Sequence, residues 1–431
     1  MSDIEMEQTV HAAGEYPDLP PPPGTTGLIG WLRANLFSSP LNTVLTLLTA
    51  YLLYATIPPL VEWAILDANI SADSRAQCAA ESTGACWAVV RERIFQFTFG
   101  FYPETERWRP ILLFFMLIAA VLPILFDNLP NRKYLLIYSA LFPFLAYAIL
   151  LGGEVPTGAD VLWTLAPAAV LIGGGYALKG LKLGWGGLAG SLFWIGVIWG
   201  VIGIILLLGG LLFEPVKTRD IGGFLLTLVI GITGITASLP IGIVLALGRK
   251  SDMLIVRWLC TGFIEFIRGV PLITLLFVAS TMLNYFLPPQ VEFDLLLRVL
   301  IMVTLFASAY MAEVIRGGLQ AIPRGQFEAA DAMGLQYWQS MRLIVLPQAL
   351  KISIPGIVNT FIGLYKDTTL VYVIGMLDPL GISRPVLADA AWQGLSTEIY
   401  VFLALFYFAS CFLMSRYSLY LEHRLHTGHK R

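Results

Sequence analysis

Few side chains in this sequence are placed to do chemistry. Within its apolar stretches, Lys366 and Asp367 stand side by side with the hydroxyls of Thr368 and Thr369, and Glu265 and Arg268 stand three residues apart. An ionisable group at the centre of a bilayer costs about 2.5–3.5 kcal/mol on insertion scales, so those found there tend to line a path or to pair with one another. The i, i+3 spacing sets Glu265 and Arg268 on one helical face. Each pair is therefore either a polar lining for a charged solute or a helix-to-helix salt bridge. Cys78 and Cys86 are close enough in sequence for a disulfide in an oxidising compartment, and two free thiols are the alternative. Four histidines, His11, His423, His426 and His429, lie in the tails. The last three recur every three residues, which a metal could exploit but which reads more simply as a solvated tail. There is no zinc spacing, no G-x-x-x-x-G-K-[ST] phosphate cradle, no nucleophile elbow and no H-E-x-x-H. No catalytic residue, metal or bound cofactor is expected of this chain.

The elements that must position these groups are membrane helices. Hydrophobic residues make up 57% of the 431 and charged residues only 13%, with a mean hydropathy of +0.74. A soluble surface needs more charge than that. About 20 mostly apolar residues cross a bilayer, and such runs occur near 41–61, 110–127, 134–151, 161–178, 187–211, 222–247, 255–287, 295–315, 352–376 and 399–420. The expected fold class is all-α, a polytopic membrane protein of about ten spans. The run 255–287 is too long for one crossing, and Pro271 is the expected break. Residues 1–39 read as a tail with a polyproline linker at Pro20–Pro23. Residues 40–215 form a first membrane region with a long loop 62–109, residues 216–421 a second region of about five spans, and 422–431 a tail. The pairs Gly186/Gly190 and Gly196/Gly200 fit close helix packing. The net charge of −2 decides nothing about nucleic acid, but there is no basic stripe of the kind that would bind it, and no nucleic-acid partner is expected.

Charge orients the spans. With the N-terminus inside, the short inner loops carry eleven Lys and Arg against three in the short outer loops, as the positive-inside rule requires. The long loop 62–109 adds five arginines outside, and the basic C-terminal tail adds Arg424, Lys430 and Arg431 inside. The one long inner loop is then 317–351. Pro323 can open a helix there, since the missing N–H costs nothing at a first turn. Gly334 can end it in the left-handed conformation, and a second short helix runs to Pro347. Ala329 and Ala330 leave little bulk, so another surface can approach closely. A structured polar element of this length on the inner face is best explained as a docking platform for a cytoplasmic partner.

The loop has the pattern E-A-A-x3-G-x9-I-x-L-P at Glu328, Ala329, Ala330, Gly334, Ile344, Leu346 and Pro347. It resembles the coupling motif of ABC importer permeases. Four further phrases resemble the polar amino-acid branch of that family: GGFLLTL from Gly222, RGVP from Arg268, AEVIRGG from Ala312 and KDTTL from Lys366. The resemblance covers about residues 220–421, and the long first half is similar to the larger permease subunit of general L-amino-acid importers. It implies a type I importer with a MetI-like permease core in the inner membrane of a double-membraned bacterium, both termini cytoplasmic. It further implies a separate ABC ATPase subunit holding ATP and Mg, a second homologous permease and a periplasmic amino-acid-binding protein. In that setting Glu328 is the polar contact of the coupling helix, Ala329 and Ala330 its close-packing face, and Gly334 the turn that aims it. Lys366, Asp367, Thr368 and Thr369, with Glu265 and Arg268 as a second pair, become candidates to hold the ammonium and carboxylate that amino acids share.

Other classes fit less well. A secondary transporter has no use for the 317–351 loop, a membrane enzyme needs polar groups clustered at one depth, and a scaffold explains the tails but not the loop.

Overall fold

The computed structural model of the chain describes residues 27–126, 129–180, 187–286 and 293–425. The proline linker, the inner loop 181–186 with Gly186, and His11, His426 and His429 lie outside the described residues. Among the described residues the regular structure is helical, with two isolated β-bridges, Asn69–Cys86 and Gly100–Ile221. The chain divides into two compact units.

The first unit holds residues up to 72 together with 76–87. It contains α1 (Gly27–Asn35), α2 (Pro40–Val61) and most of α3 (Arg75–Glu81). No residue of α2 is buried, as expected of an apolar helix facing lipid all round. A Cys78–Cys86 disulfide joins α3 to the segment after it, with Cα atoms 5.9 Å apart. Trp87 lies edge-on to Trp63 at 5.9 Å and donates through Nε1 to the Ala64 carbonyl at 2.8 Å.

The second unit holds residues 73–75 and 88–425. Its elements are α4 (Ala88–Phe99), α5 (Trp108–Leu125), α6 (Arg132–Leu151), α7 (Gly158–Gly180), α8 (Leu188–Leu212), α9 (Gly223–Arg249), α10 (Leu254–Gly269), α11 (Leu272–Phe277), α12 (Leu283–Phe286), α13 (Leu295–Gln320), α14 (Arg324–Ala332), α15 (Tyr337–Ser340), α16 (Leu346–Asp367), α17 (Pro379–Ala388) and α18 (Ser396–Leu425). Helix α5 packs on α6, α7 on α8, and α9, α13 and α16 form the centre of the second half, with α10 and α18 outside them. At Gly196 an added Cβ would stand 2.8 Å from the Ile172 nitrogen and the Leu171 Cβ, so α7 and α8 touch where a small residue permits it.

Nine helices among the described residues are long and apolar enough to cross a membrane, and a bent pair gives a tenth. Each expected span has its counterpart. The loops that ten alternating spans place on one face are also those that meet. Tyr102 donates to the Leu150 carbonyl at 2.6 Å, and Arg109 to the Glu214 carbonyl at 2.8 Å. Val216 N–H bonds Leu151 at 2.8 Å, and Gly223 N–H bonds Leu377 at 2.7 Å.

The run 255–287 breaks at Pro271 as expected: α10 and the segment Leu272–Met282 meet at 100°. Val270 is extended (φ −111°, ψ 133°), because a residue before proline is pushed out of the helical region. The loop 62–109 is largely helical, in α3 and α4. The helix expected to stop at Pro347 instead continues, so that one helical run reaches from Tyr337 to Ile374. A π-turn at Met341–Val345, in which Leu346 N–H bonds the Met341 carbonyl, widens the helix just before the proline ring, and Pro347 falls in the first turn of α16, where its missing N–H costs little.

Candidate functional site

Helix α13 ends at Gln320, and three residues later α14 begins, with Pro323 at its N-cap (φ −59°, ψ 140°). Ile322, in the connection, is buried in a cluster with Ile315, Leu319, Met341, Val345 and Ala349, which seats α14 on the ends of α13 and α16. The C-terminus of α14 is closed by Gly334 at φ +72°. Gly334 N–H bonds the Asp331 carbonyl at 2.9 Å and Leu335 N–H bonds the Ala330 carbonyl at 3.2 Å, the Schellman pattern that a left-handed glycine completes. Gln326 accepts from Gln348 Nε2 at 3.0 Å, tying α14 to α16. Lys250 Nζ stands 5.6 Å from the centre of the Phe327 ring, tying α14 to the end of α9.

The face that α14 leaves free carries Glu328 and Ala329, both exposed. Beside it lie Met333 (65% exposed), Tyr337, Trp338 (69%) and Leu343 (65%). Large side chains this bare beside charged Arg324 and Asp331 form an apolar patch with a polar rim, the composition of a protein-binding surface. The expected alanine face needs correction. Ala330 is fully buried against the protein itself, while Ala329 points outward, because neighbouring helical positions turn about 100° apart. Ile344 and Leu346 are half-buried and Pro347 is exposed.

Glu265 and Arg268 do not pair with each other. Glu265 takes Arg249 Nη2 at 2.9 Å. Arg268 lies 3.9 Å from Glu313, with its guanidinium 5.6 Å from the centre of the Tyr310 ring. Glu313 bonds Arg249 and takes Arg316 Nη2 at 2.7 Å and Nε at 3.0 Å on its second oxygen. The result is one cluster of two carboxylates and three guanidiniums on α9, α10 and α13. Sequence reading missed Arg249, Glu313 and Arg316 as members. Glu313 and Arg316 stand in the AEVIRGG phrase, four residues or fewer apart on one helical face, and that spacing was the available signal.

Lys366 and Asp367 close the last turn of α16, Lys366 exposed and Asp367 half-buried. The two hydroxyls are turned onto backbone: Thr368 donates to the Tyr365 carbonyl at 2.8 Å and Thr369 to the Lys366 carbonyl at 2.9 Å. Behind them the Tyr365 and Tyr407 rings stand 5.6 Å apart, and the Tyr407 hydroxyl lies 3.4 Å from that of Thr227. No ion pair joins Lys366 or Asp367 to the Glu313 cluster among the described residues. No group of three or more His, Cys, Asp and Glu residues that could hold a metal occurs among them either.

A helical membrane core that carries a short, capped, outward-facing helix in one of its loops is the architecture of a transport permease. Residues 238–427 match the family described as binding-protein-dependent transport system inner membrane component. Over the full length of both chains, the sequence is 51% identical to a glutamate/glutamine/aspartate/asparagine transport system permease protein, BztC, of Rhodobacter capsulatus. It is 42% identical, over 96% of this chain and 97% of the other, to an inner membrane amino-acid ABC transporter permease protein, YhdY, of Escherichia coli. A solved amino acid ABC transporter with histidines aligns with 46% of this chain and 90% of its own, at 29% identity and a TM-score of 0.42. The chain belongs to the family of amino-acid ABC transporter permeases.

Proposed function

We propose that this permease forms the translocation path of an ATP-driven amino-acid importer and receives the ATPase stroke through α14. The free face of α14 carries the proposal: a nine-residue helix fixed at both ends, exposing Glu328 and Ala329 beside Met333 and Trp338. A separate ABC ATPase subunit, holding ATP and Mg, docks there. Gly334 aims the helix, and Ile344, Leu346 and Pro347 anchor the segment that follows. A second homologous permease and a periplasmic amino-acid-binding protein complete the importer. The excess of Lys and Arg in the short inner loops supports an inner-membrane topology with both termini cytoplasmic. That topology puts α14 in the cytoplasm and the Cys78–Cys86 disulfide in the oxidising periplasm.

Lys366 and Asp367, with Arg268 and Glu265 as the second set, are the side chains that we assign to meet a charged solute. Thr368 and Thr369 support the path as helix-end bonds and not as free hydroxyls. The printed name of the Rhodobacter relative makes glutamate, aspartate and their amides the first solutes to assay. Co-purification tests the proposal. Gentle detergent extraction of the tagged permease is expected to bring down an ATPase with a phosphate-binding loop, and Glu328→Arg to release it. Retention of the ATPase by Glu328→Arg combined with Ala329→Trp overturns α14 as its docking site.

A further inference from the structure

The two carboxylates and three guanidiniums at the α14 end of the core lie outside the docking face. Arg249 is the last residue of α9. Its guanidinium reaches Glu265 on α10 at 2.9 Å and Glu313 on α13. Glu313 also holds Arg316 of its own helix at 2.7 Å and draws Arg268 of α10 to 3.9 Å. One carboxylate thus faces three cations from three helices, and its side chain is only 16% exposed. The next residue along the chain from Arg249 is Lys250, whose ammonium stands over the Phe327 ring of α14. Two consecutive cations therefore face opposite ways, one onto the coupling helix and one into the charged cluster.

Packing gives the same connection a second route. Ile264 of α10, Ala246 of α9 and Ile315 and Leu319 of α13 share a buried cluster with Ile322, the residue leading into α14. A displacement of α14 reaches α9 through Phe327 and Lys250, and α13 through Ile322. Whether the three helices then move as one body or slide past each other depends on what crosses between them: Glu265 ties α10 to α9, and Glu313 is the one carboxylate of the cluster paired to all three helices.

We propose that Glu313 is a positioning residue for coupling, locking α9, α10 and α13 into a single unit that follows α14. The proposal rests on α14 being the ATPase-docking helix. The lock matters because coupling energies between sites are themselves small, so the loss of one crossing can decouple them.

The test uses the complete importer in proteoliposomes of Escherichia coli lipid, with uptake of labelled glutamate and glutamine and ATP hydrolysis measured on the same sample. Glu313→Gln keeps the shape of the side chain and removes the charge. The expected result is a fall of at least about fivefold in solute moved per ATP, the lower end of typical coupling factors, with hydrolysis persisting. Glu313→Asp is expected to recover part of the ratio. An unchanged ratio in Glu313→Gln overturns the proposal, and so does a parallel fall of uptake and hydrolysis, which marks a merely structural role. If Glu313→Gln fails to assemble, Arg249→Gln, which removes the partner of Glu313 on α9, is measured instead, and the same two outcomes decide. A wild-type complex without ATP-driven uptake removes the proposed function itself. A wild-type complex that couples normally beside a variant that couples equally well removes only the role of Glu313.

Discussion

Gly334 offers the sharpest separation of folding from coupling. Its φ of +72° lies in the left-handed region, and a Cβ added there meets nothing within 4 Å. Substitution is therefore free of clash, and its whole cost is conformational. For an L-residue that cost is about 1–2 kcal/mol, higher for a β-branched side chain and lower for Asn, which visits this region. One to two kcal/mol is a factor of roughly 5–30 in the population of the turn. The two hydrogen bonds that close α14, Gly334 to Asp331 and Leu335 to Ala330, both need that turn. Gly334→Val is thus expected to leave insertion and expression intact and to cut uptake by about 5- to 30-fold, with Gly334→Ala intermediate and Gly334→Asn mild. Uptake in membrane vesicles, with permease amounts matched by immunoblot, reads the series. Wild-type uptake in Gly334→Val, or an Asn variant as impaired as the Val variant, refutes the conformational account.

Three further outcomes follow from other parts of the molecule. Mass spectrometry of unreduced protein is expected to find the 78–86 peptide two protons light, and Cys78→Ser to lower the stability of that segment by about 2–3 kcal/mol, the chain-entropy value for so small a loop; two alkylatable thiols would exclude the bridge. Arg109, 2% exposed, is held by Glu106 at 2.7 Å and by the Glu214 carbonyl, so Arg109→Ala is expected to cost at most about 3 kcal/mol, the lower end for a buried pair, because the unpaired Glu106 carboxylate is half-buried at 19% exposure; the readout is a drop in thermal denaturation temperature in detergent. Asp378, fully buried, caps α17 through Gly381 N–H at 2.8 Å, and burial raises its pKa from 3.8 to about 6. A raised carboxylate pKa favours the neutral folded form. Its contribution is therefore complete below about pH 4 and is lost as pH rises through about 6, an effect on the order of 3 kcal/mol. Asp378→Asn should gain stability relative to the wild type between pH 5 and pH 7.5, as measured by hydrogen exchange in α17, and equal melting differences at the two pH values would contradict the assignment.

The spans were legible because lipid forces a simple rule onto composition, and most apolar runs became a helix within a few residues of their expected limits; the run 255–287 broke in two and the ninth extended back to Tyr337. The ends of α14 were legible for a different reason: Pro323 and Gly334 each have a narrow conformational use. Partnerships between helices were not legible. Glu265 and Arg268 share a helical face, yet their partners are Arg249 and Glu313, 16 and 45 residues away in sequence. Local spacing says which groups share a face and nothing about which helix that face meets. Ala329 and Ala330 failed for a related reason. Two small residues in a row suggest a smooth surface, but one helical step sends one of them inward, and only the seat of α14 on the buried cluster around Ile322 decides which. Pro347 misled because a proline usually ends a helix, and a widened turn just before it let this one pass.

The irregular backbone of the second unit is not scattered. Within the expected apolar runs and the segment leading into the ninth it falls at the Val270–Pro271 break, in the π-turns Val278–Met282 and Met341–Val345, and in the 3-10 stretch Thr368–Ile374. Lipid offers no hydrogen bonds, so backbone that leaves the α-helical pattern inside a membrane must face protein or water. Here α11 packs on the 3-10 stretch, and Leu272, Leu276 and Val371 share one buried cluster, so that stretch faces protein within the core. The break at Pro271 also separates two kinds of attachment. Before it, Glu265 and Arg268 are tied by charge to α9 and α13. After it, Leu272 and Leu276 are tied by apolar contact to the opposite end of the same bundle. Between them lie two extended residues, Val270 and Pro271, whose torsions belong to no helix. A movement of the charge-tied body can be absorbed there at low cost, since no α-helical hydrogen bond spans the joint. The backbone thus breaks between the charge-tied α10 and the apolar-tied α11.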